Sequence, residues 1–304
     1  MDALIQSLVQ SNFAPDRIVP QASMAQYTTL RIGGPADVLV NVVSADEIAV
    51  ALHAAKNAGA PVTIIGNGSN LLVRDGGIRG LVLRISGGLN AIRREGDCLL
   101  VQAGASLAAV AAFARDEGLS GMAELGGIPG TVGGGVLMNA GAYGAELAQL
   151  VTQAEGVSLS DGRRVIYPAD RLDFAYRHSA LMDAGVVITQ ATLALTPGDP
   201  EAIRARMEEC AKARREKQPL TLPSAGSTFK RPEGHFAAKL IDDCGLRGLT
   251  VGGAQVSEKH AGFIVNIGGA TARDMLELMR QVEQRVFEQT GVQLEPEVRI
   301  LGED

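Results

Sequence analysis

Two glycine-rich runs hold the residues best suited to chemistry. From Gly126 to Gly144 the chain reads GGIPGTVGGGVLMNAGAYG, with 8 glycines in 19 residues and almost no charge. Flexible linkers are Gly/Ser-rich and solvated, whereas this run interleaves Ile128, Val132, Val136, Leu137 and Met138, which need somewhere dry to go. Glycine at that density is required where backbone takes positive φ or lies against a flat or charged ligand with no Cβ in between. The alternative is a set of tight turns between core strands. From Gly66 to Asn70, GNGSN offers two glycines, a hydroxyl and two amides, a composition suited to a nest of backbone N–H groups around a diphosphate. Asn67-Gly68 is equally a common hairpin turn, and the motif is neither a Walker loop nor GxGxxG. Together, the two loops would hold the halves of a long dinucleotide, phosphates at the first and the flat ring at the second.

The elements around them read as α/β. DVLVNVV from Asp37 is strand-like, and Ser44 opens SADEIAVALHAAKNAG with Ser44 and Glu47 placed for a capping box and Gly59 as the stop. Val62 to Ile65 is a short buried strand, which completes a βαβ unit and puts GNGSN just past a strand end, where ligands collect in such folds. Strands follow at Leu81–Ile85 and Leu99–Ala103, then a helix from Ser106 to Glu117. Beyond the glycine stretch come strands at Ala154–Leu159, Arg164–Tyr167 and Val186–Leu195, with Asp161-Gly162 as a hairpin turn. Thr196-Pro197-Gly198 reads as a domain boundary, and Asp199 with Pro200 starts a helix that buries Ile203, Met207 and Cys210. His235–Cys244 reads as helix, Phe263–Asn266 as strand, Thr271–Thr290 as a long helix ended by Gly291, and Glu297–Leu301 as the last strand.

At 304 residues the chain is long enough for two domains. Hydrophobic residues at 46%, charged residues at 20% and a net charge of -6 describe a soluble globular protein without a basic nucleic-acid surface. Cys98, Cys210 and Cys244 lack any CxxC, and His53, His178, His235 and His260 show no metal-binding spacing, so no metal site is expected. No basic leader and no apolar span of about 20 residues is present, which predicts a cytoplasmic location and no membrane partner. The Asn67-Gly68-Ser69 sequon has no meaning without a secretory route.

TTLRIGGPAD (Thr28 to Asp37), IIGNGSNLLVRDGG (Ile64 to Gly77), the 126–144 stretch, FAYRHSAL (Phe174 to Leu181), AGSTFKRP (Ala225 to Pro232), GGAQVSEKHAGFIVN (Gly252 to Asn266) and LEPEVR (Leu294 to Arg299) stand in the order and spacing of the UDP-N-acetylenolpyruvoylglucosamine reductases. The chain resembles that bacterial family over roughly residues 25 to 302. The resemblance implies an α+β flavoenzyme of cell-wall synthesis. It has the FAD-binding fold of the vanillyl-alcohol oxidase type in two subdomains, plus a C-terminal α+β substrate-binding domain. The implied division is an arm at 1–26, an FAD-binding domain at 27–198 (subdomains about 27–85 and 86–198) and a substrate-binding domain at 199–304. The implied reaction reduces UDP-N-acetylglucosamine enolpyruvate to UDP-N-acetylmuramate, with NADPH as donor and hydride passing from the flavin to the terminal carbon of the enolpyruvyl group. FAD is expected to be non-covalent, because neither glycine loop contains histidine. Its implied contacts are Gly66, Asn67, Gly68, Ser69, Asn70, Ile128, Gly130, Thr131, Gly134, Asn139, Ala142, Gly144 and Val187.

By resemblance the catalytic positions are Arg177, Ser227 and Glu297. By type alone they are ordinary: a surface ion-pair partner, a turn hydroxyl and a solvent-facing carboxylate on the last strand. Their implied roles make physical sense. Hydride addition leaves negative charge on the adjacent carbon and its carboxylate, which needs fixed positive or hydrogen-donating groups where that charge develops. Arg177 offers a planar fork for a carboxylate, Glu297 in its acid form a hydrogen bond to the enolate, and Ser227 the proton that quenches the carbanion. Tyr176, Arg177, Arg214, Lys217, Ser227 and Lys230 are the implied substrate contacts. The basic run Lys212, Arg214, Arg215, Lys217 equally complements a helix dipole. The sequence departs from the family in two places: only Thr196 to Gly198 stands where one branch carries a Tyr-bearing loop, and Arg231 stands where some members carry Asn. The first makes it resemble the shorter branch and leaves the uridine without an assigned partner. A monomer or weak homo-oligomer is expected. Two rival readings are a different FAD oxidase of the same fold and a nucleotide-binding protein without chemistry.

Overall fold

A computed structural model describes residues 2–11 and 13–304, so residues 1 and 12 of the expected arm lie outside the described residues. The chain packs as two units. The first comprises Met1–Pro20, Val38–Asn67 and Gly80–Ala213, and the second comprises Gln21–Asp37, Gly68–Arg79 and Arg214–Asp304. Each unit is discontinuous in the sequence. Thr196–Pro197, read above as a boundary, is a short strand paired antiparallel with Leu119–Ser120, and Gly198 N–H donates to the Gly118 carbonyl at 2.8 Å. These turn-forming residues are thus hydrogen-bonded inside the first unit, which runs on to Ala213.

One sheet has the strand order Ile18–Ser23, Pro35–Asn41, Ile78–Arg84, Val62–Ile65. The expected βαβ connection therefore passes over an intervening strand: Val62–Ile65 pairs in parallel with Ile78–Arg84, Val62 opposite Leu81. Helix α1 is Asp2–Gln10, and α2, Ala45–Asn57, is the crossover. Ser44 caps α2 by accepting from Glu47 N–H at 3.1 Å, but the reciprocal half of the expected box is displaced by one residue. The Glu47 carboxylate accepts from Val43 N–H at 2.9 Å and pairs with Arg17 at 2.7 Å. The second sheet is antiparallel, ordered Arg164–Pro168, Val151–Ser158, Val186–Ala194, Cys98–Gln102, Ile92–Glu95. Its last strand went unanticipated because IRRE is polar, and it is an edge where charge is expected.

Helix α3, Leu107–Asp116, is capped by Ser106 and stopped at Gly118, φ +65. Helix α4, Val132–Leu137, runs through VGGGVL, although glycine is a poor helix former. Packing explains the composition. A Cβ on Gly133 would stand 2.9 Å from Ala103 Cβ, and one on Gly135 2.9 Å from Leu147 Cδ1. Helix α5, Pro200–Lys217, buries Ile203 and Cys210. Leu99, Val101, Leu107, Val132, Val136 and Leu193 belong to one continuous core.

The second unit has its own core, with Leu30, Leu72, Ile241, Val256, Met275, Leu278 and Val282 fully or almost fully buried. It holds a three-stranded antiparallel sheet (Thr250–Val251, Ala254–Val256, Ile264–Asn266) and helices α6, Ala237–Asp243, and α7, Ala272–Thr290. Leu71–Val73 pairs in parallel with Arg299–Leu301. Thr271 and Asp274 form a full capping box on α7, and Asp75 adds its carboxylate, accepting from Ala272 and Arg273 N–H at 2.8 and 3.0 Å. Asp75 thus serves a helix nearly 200 residues later. The final strand starts at Arg299, two residues later than expected.

Candidate functional site

Ser227 and Glu297 lie on two paired segments of the second unit. Phe229 bridges Pro296, Lys230 N–H donates to the Glu295 carbonyl at 2.8 Å, and Glu297 N–H donates to the Thr228 carbonyl at 2.8 Å. Thr228 is buried and fixes the segment, its N–H donating to Gly262 O at 2.8 Å and its Oγ1 accepting from Ile264 N–H at 2.9 Å. Next to this clamp Ser227 is exposed, and its hydroxyl makes no hydrogen bond among the described residues. Glu297 is half-buried. Its carbonyl accepts from Asn70 Nδ2 at 3.1 Å, while the Asn70 carbonyl accepts from Arg299 N–H at 3.0 Å. The last residue of GNGSN therefore spends its amide on the strand that carries Glu297.

Arg177 lies in the first unit, at the second corner of a two-residue turn closed by reciprocal bonds between Ala175 and His178 of 3.2 and 3.1 Å. Its φ is +54, a conformation that favours glycine or asparagine. The Arg177 guanidinium carbon stands 4.8 Å from the ring centre of Tyr176, which is itself exposed. Two bonds tie this turn to the end of α4: Asn139 Nδ2 donates to Ala175 O at 3.0 Å and Ser179 Oγ donates to Leu137 O at 2.8 Å.

The expected cofactor residues divide into three groups. Gly66 abuts the start of α4, where an added Cβ would fall 2.5 Å from Thr131 Oγ1, itself buried and accepting from Gly134 N–H at 3.4 Å. Gly134 and Gly144 are exposed, Gly130 and Gly144 have φ of +148 and +88, and Asn67, Ile128 and Ala142 are half-buried. This surface, poor in Cβ atoms beside a capped helix start, fits a flat ring with phosphates. A second group is not offered to a ligand by its side chains. Asn139 is 1% exposed, with Oδ1 accepting from Ala148 N–H at 2.9 Å and Nδ2 already spent on Ala175, and Val187 is 1% exposed in a core strand opposite Val157. The third group, Gly68, Ser69 and Asn70, belongs to the second unit. Gly68, φ +63, is buried where a Cβ would collide with the Tyr27 carbonyl oxygen. Asn67-Gly68 is no hairpin either, since Val62–Ile65 and Leu71–Val73 belong to different sheets.

Of the expected substrate contacts, Arg214 and Lys217 occupy the last turn of α5. Lys230 Nζ pairs with Glu295 at 3.3 Å. The Arg231 guanidinium lies 4.5 Å from the ring centre of Phe236. Two residues inside the quoted motifs make contacts that no local spacing announces: Thr228, whose clamp joins residues 34 and 36 positions away, and Tyr143, whose hydroxyl donates to Cys210 O at 3.3 Å. Among the described residues there is no His/Cys/Asp/Glu group able to hold a metal and no helix long and apolar enough to cross a membrane.

Residues 36–166 match the FAD binding domain family, and residues 218–301 match the C-terminal domain family of UDP-N-acetylenolpyruvoylglucosamine reductase. The reductase of Pediococcus pentosaceus is 46% identical over 301 residues, covering 99% of this chain and all of that one. The reductase of Agathobacter rectalis is 49% identical over 92% of each. The crystal structure of the Thermus caldophilus reductase superposes with a TM-score of 0.80 at 38% identity, covering 94% of this chain and 98% of that one. With collinear matches over nearly its whole length, the chain belongs to the UDP-N-acetylenolpyruvoylglucosamine reductase family.

Proposed function

We propose that this chain reduces UDP-N-acetylglucosamine enolpyruvate to UDP-N-acetylmuramate for peptidoglycan synthesis, with Ser227, Glu297 and Arg177 acting on the substrate. The observation that carries this reading is the pairing of two distant segments, 227–230 with 295–298, which holds an unengaged hydroxyl and a half-buried carboxyl group on one scaffold. Gly66, Asn67, Gly68, Ser69, Ile128, Gly130, Thr131, Gly134, Ala142 and Gly144 would hold FAD. FAD bound there supplies hydride that it receives from NADPH. In this reading the region matching the FAD binding domain serves the cofactor, and the region matching the C-terminal domain serves the UDP-sugar.

Each side chain then has a task set by where charge develops. The hydride's electron pair forms the C–H bond at the terminal carbon of the enolpyruvyl group, and the π pair of the C=C bond moves to the adjacent carbon and on into the carboxylate. Arg177 meets that carboxylate with two parallel N–H donors. Glu297, as the acid, donates a hydrogen bond to the enolate oxygen. Ser227 gives its proton to the carbanionic carbon, a downhill transfer because the carbanion is the stronger base, and its exposure lets the alkoxide recover a proton from water. Arg214, Lys217 and Lys230 supply positive charge for the diphosphate. The enzyme works in the cytoplasm as a monomer or weak homo-oligomer.

The test separates the two half-reactions. In Ser227→Ala, reduction of bound FAD by NADPH proceeds at the wild-type rate, while reoxidation by the enolpyruvyl substrate slows by about 100-fold or more, the scale of general acid catalysis. Equal reoxidation rates in variant and wild type would remove Ser227 from the reaction. Wild-type FAD that NADPH reduces but this substrate does not reoxidise would favour an oxidase of the same fold.

A further inference from the structure

Phe236 is 60% exposed, although burying a phenylalanine is among the larger apolar gains available to a fold. It is also the N-cap of α6, and its side chain makes no capping bond. Ser, Thr, Asp or Asn there would satisfy one of the first N–H groups of the helix. Stability therefore argues twice against an aromatic residue at this position, and a residue that breaks local rules without a structural return points to function.

The surroundings indicate which function. Arg231 lies over the ring, 4.5 Å from its centre, and His235 N–H donates to Pro232 O at 3.1 Å to close the turn between them. Arg231 follows Lys230 on the segment that begins with Ser227. The Lys230 pair with Glu295 is largely solvent-exposed, at 42% and 70% of the two side chains. Such a pair is weak, and a phosphate can take the place of the carboxylate. Among the described residues the other large aromatic exposed in the second unit, Phe287, lies near the end of α7 and has no cation over its ring. An exposed ring with the Arg231 cation over it, and Lys230 next to Arg231 in the chain, combines what a nucleoside diphosphate requires, a π-face for the base and positive charge for the phosphates.

We propose that Phe236 stacks on the uracil of the sugar-nucleotide substrate while Arg231 and Lys230 engage its diphosphate. This rests on the reading of the chain as a UDP-sugar reductase and adds the nucleotide subsite to it.

The chain contains no tryptophan, so Phe236→Trp installs a single fluorophore at the site. Its emission changes saturably on titration with UMP or UDP and does not respond to ribose 5-phosphate, which lacks the base. In Phe236→Ser, KM for the enolpyruvyl UDP-sugar rises by roughly tenfold or more, Phe236→Tyr restores it, and the melting temperature is unchanged or higher. Trp emission unmoved by UMP and UDP, together with a KM within about twofold of wild type in Phe236→Ser, overturns the stacking role. A drop in melting temperature that accounts for lost activity marks Phe236 as structural and also overturns it. Failure of the underlying reading looks different: wild-type protein itself then neither binds UDP in calorimetry nor is reoxidised by the enolpyruvyl sugar.

Discussion

The Asn70 side-chain amide donates to the Glu297 carbonyl at 3.1 Å while the Asn70 carbonyl accepts the Arg299 N–H at 3.0 Å. The two bonds bracket Val298 and fix the backbone that presents Glu297. Asn70 is thus a positioning residue for Glu297. Asn70→Ala removes a part-buried hydrogen bond, a loss of about 0.5–1.5 kcal/mol, and should slow FAD reoxidation by substrate several-fold with little change in FAD reduction by NADPH. Asn70→Asp, which sets a carboxylate against a carbonyl with no donor between them, should be slower still. If both half-reactions and the melting temperature fall together in both variants, Asn70 is only a structural tie.

Arg177 makes the second case for geometry imposed at a cost. A non-glycine residue at φ +54 in a two-residue turn carries strain on the order of 1 kcal/mol. Asn139 and Ser179 hold that turn to the end of α4. Arg177→Gly relieves the strain, so its melting temperature should match or exceed wild type while reoxidation by substrate collapses. Arg177→Lys keeps the charge and loses the fork, and stopped-flow reoxidation should fall between these two proteins. A lysine variant as fast as wild type would show that charge alone suffices.

Much of the fold can be read locally. Ser44, Ser106 and Thr271 open helices, and Gly59, Gly118 and Gly291 follow their ends with φ of +63, +65 and +71. Elements whose cause lies elsewhere cannot be read that way. Helix α4 defies its own propensity because Ala103 and Leu147 leave room only for glycine, and the second unit is discontinuous in sequence because Leu71–Val73 pairs with Arg299–Leu301. The site follows the same division. Motif order points by resemblance to Arg177, Ser227 and Glu297, but the bonds of Asn70 and Asn139 reach partners 227 and 36 positions away, and no local signal announces them.

Beneath the serine segment lies a pH-sensitive contact. Burial pushes the half-buried His260 imidazole below its ordinary value, with the nearby Arg247 cation adding to the effect and a backbone hydrogen bond opposing it. Its Nδ1 accepts from Gly262 N–H at 3.1 Å, and the Gly262 carbonyl holds Thr228. A histidine with a depressed native pKa takes up its proton more readily in the unfolded chain, whose value is about 6.5. Its contribution is therefore complete above that pH and is lost as pH falls toward the native value. The urea midpoint should decrease on acidification below about pH 6.5, and His260→Gln should flatten that dependence. An unchanged slope in the variant would locate the sensitivity elsewhere.

Gly133 and Gly134 are neighbours with opposite reasons to be glycine. A Cβ on Gly133 meets Ala103 Cβ at 2.9 Å and Ala103 O at 3.3 Å, so Gly133→Ala should destabilise by about 1–3 kcal/mol through overpacking. Gly134 is exposed, and its Cβ would meet only Thr131 Oγ1, at an ordinary 3.5 Å. In a helix, glycine to alanine at such a position adds about 0.5–1 kcal/mol of stability. If this surface holds FAD, that methyl occupies space the cofactor needs. Gly134→Ala should then melt higher than wild type as apoprotein, yet purify with less FAD and bind it more weakly by fluorescence titration. A variant that melts higher and retains full FAD affinity would remove Gly134 from the cofactor surface and leave it as a helix residue that stability alone would have made alanine.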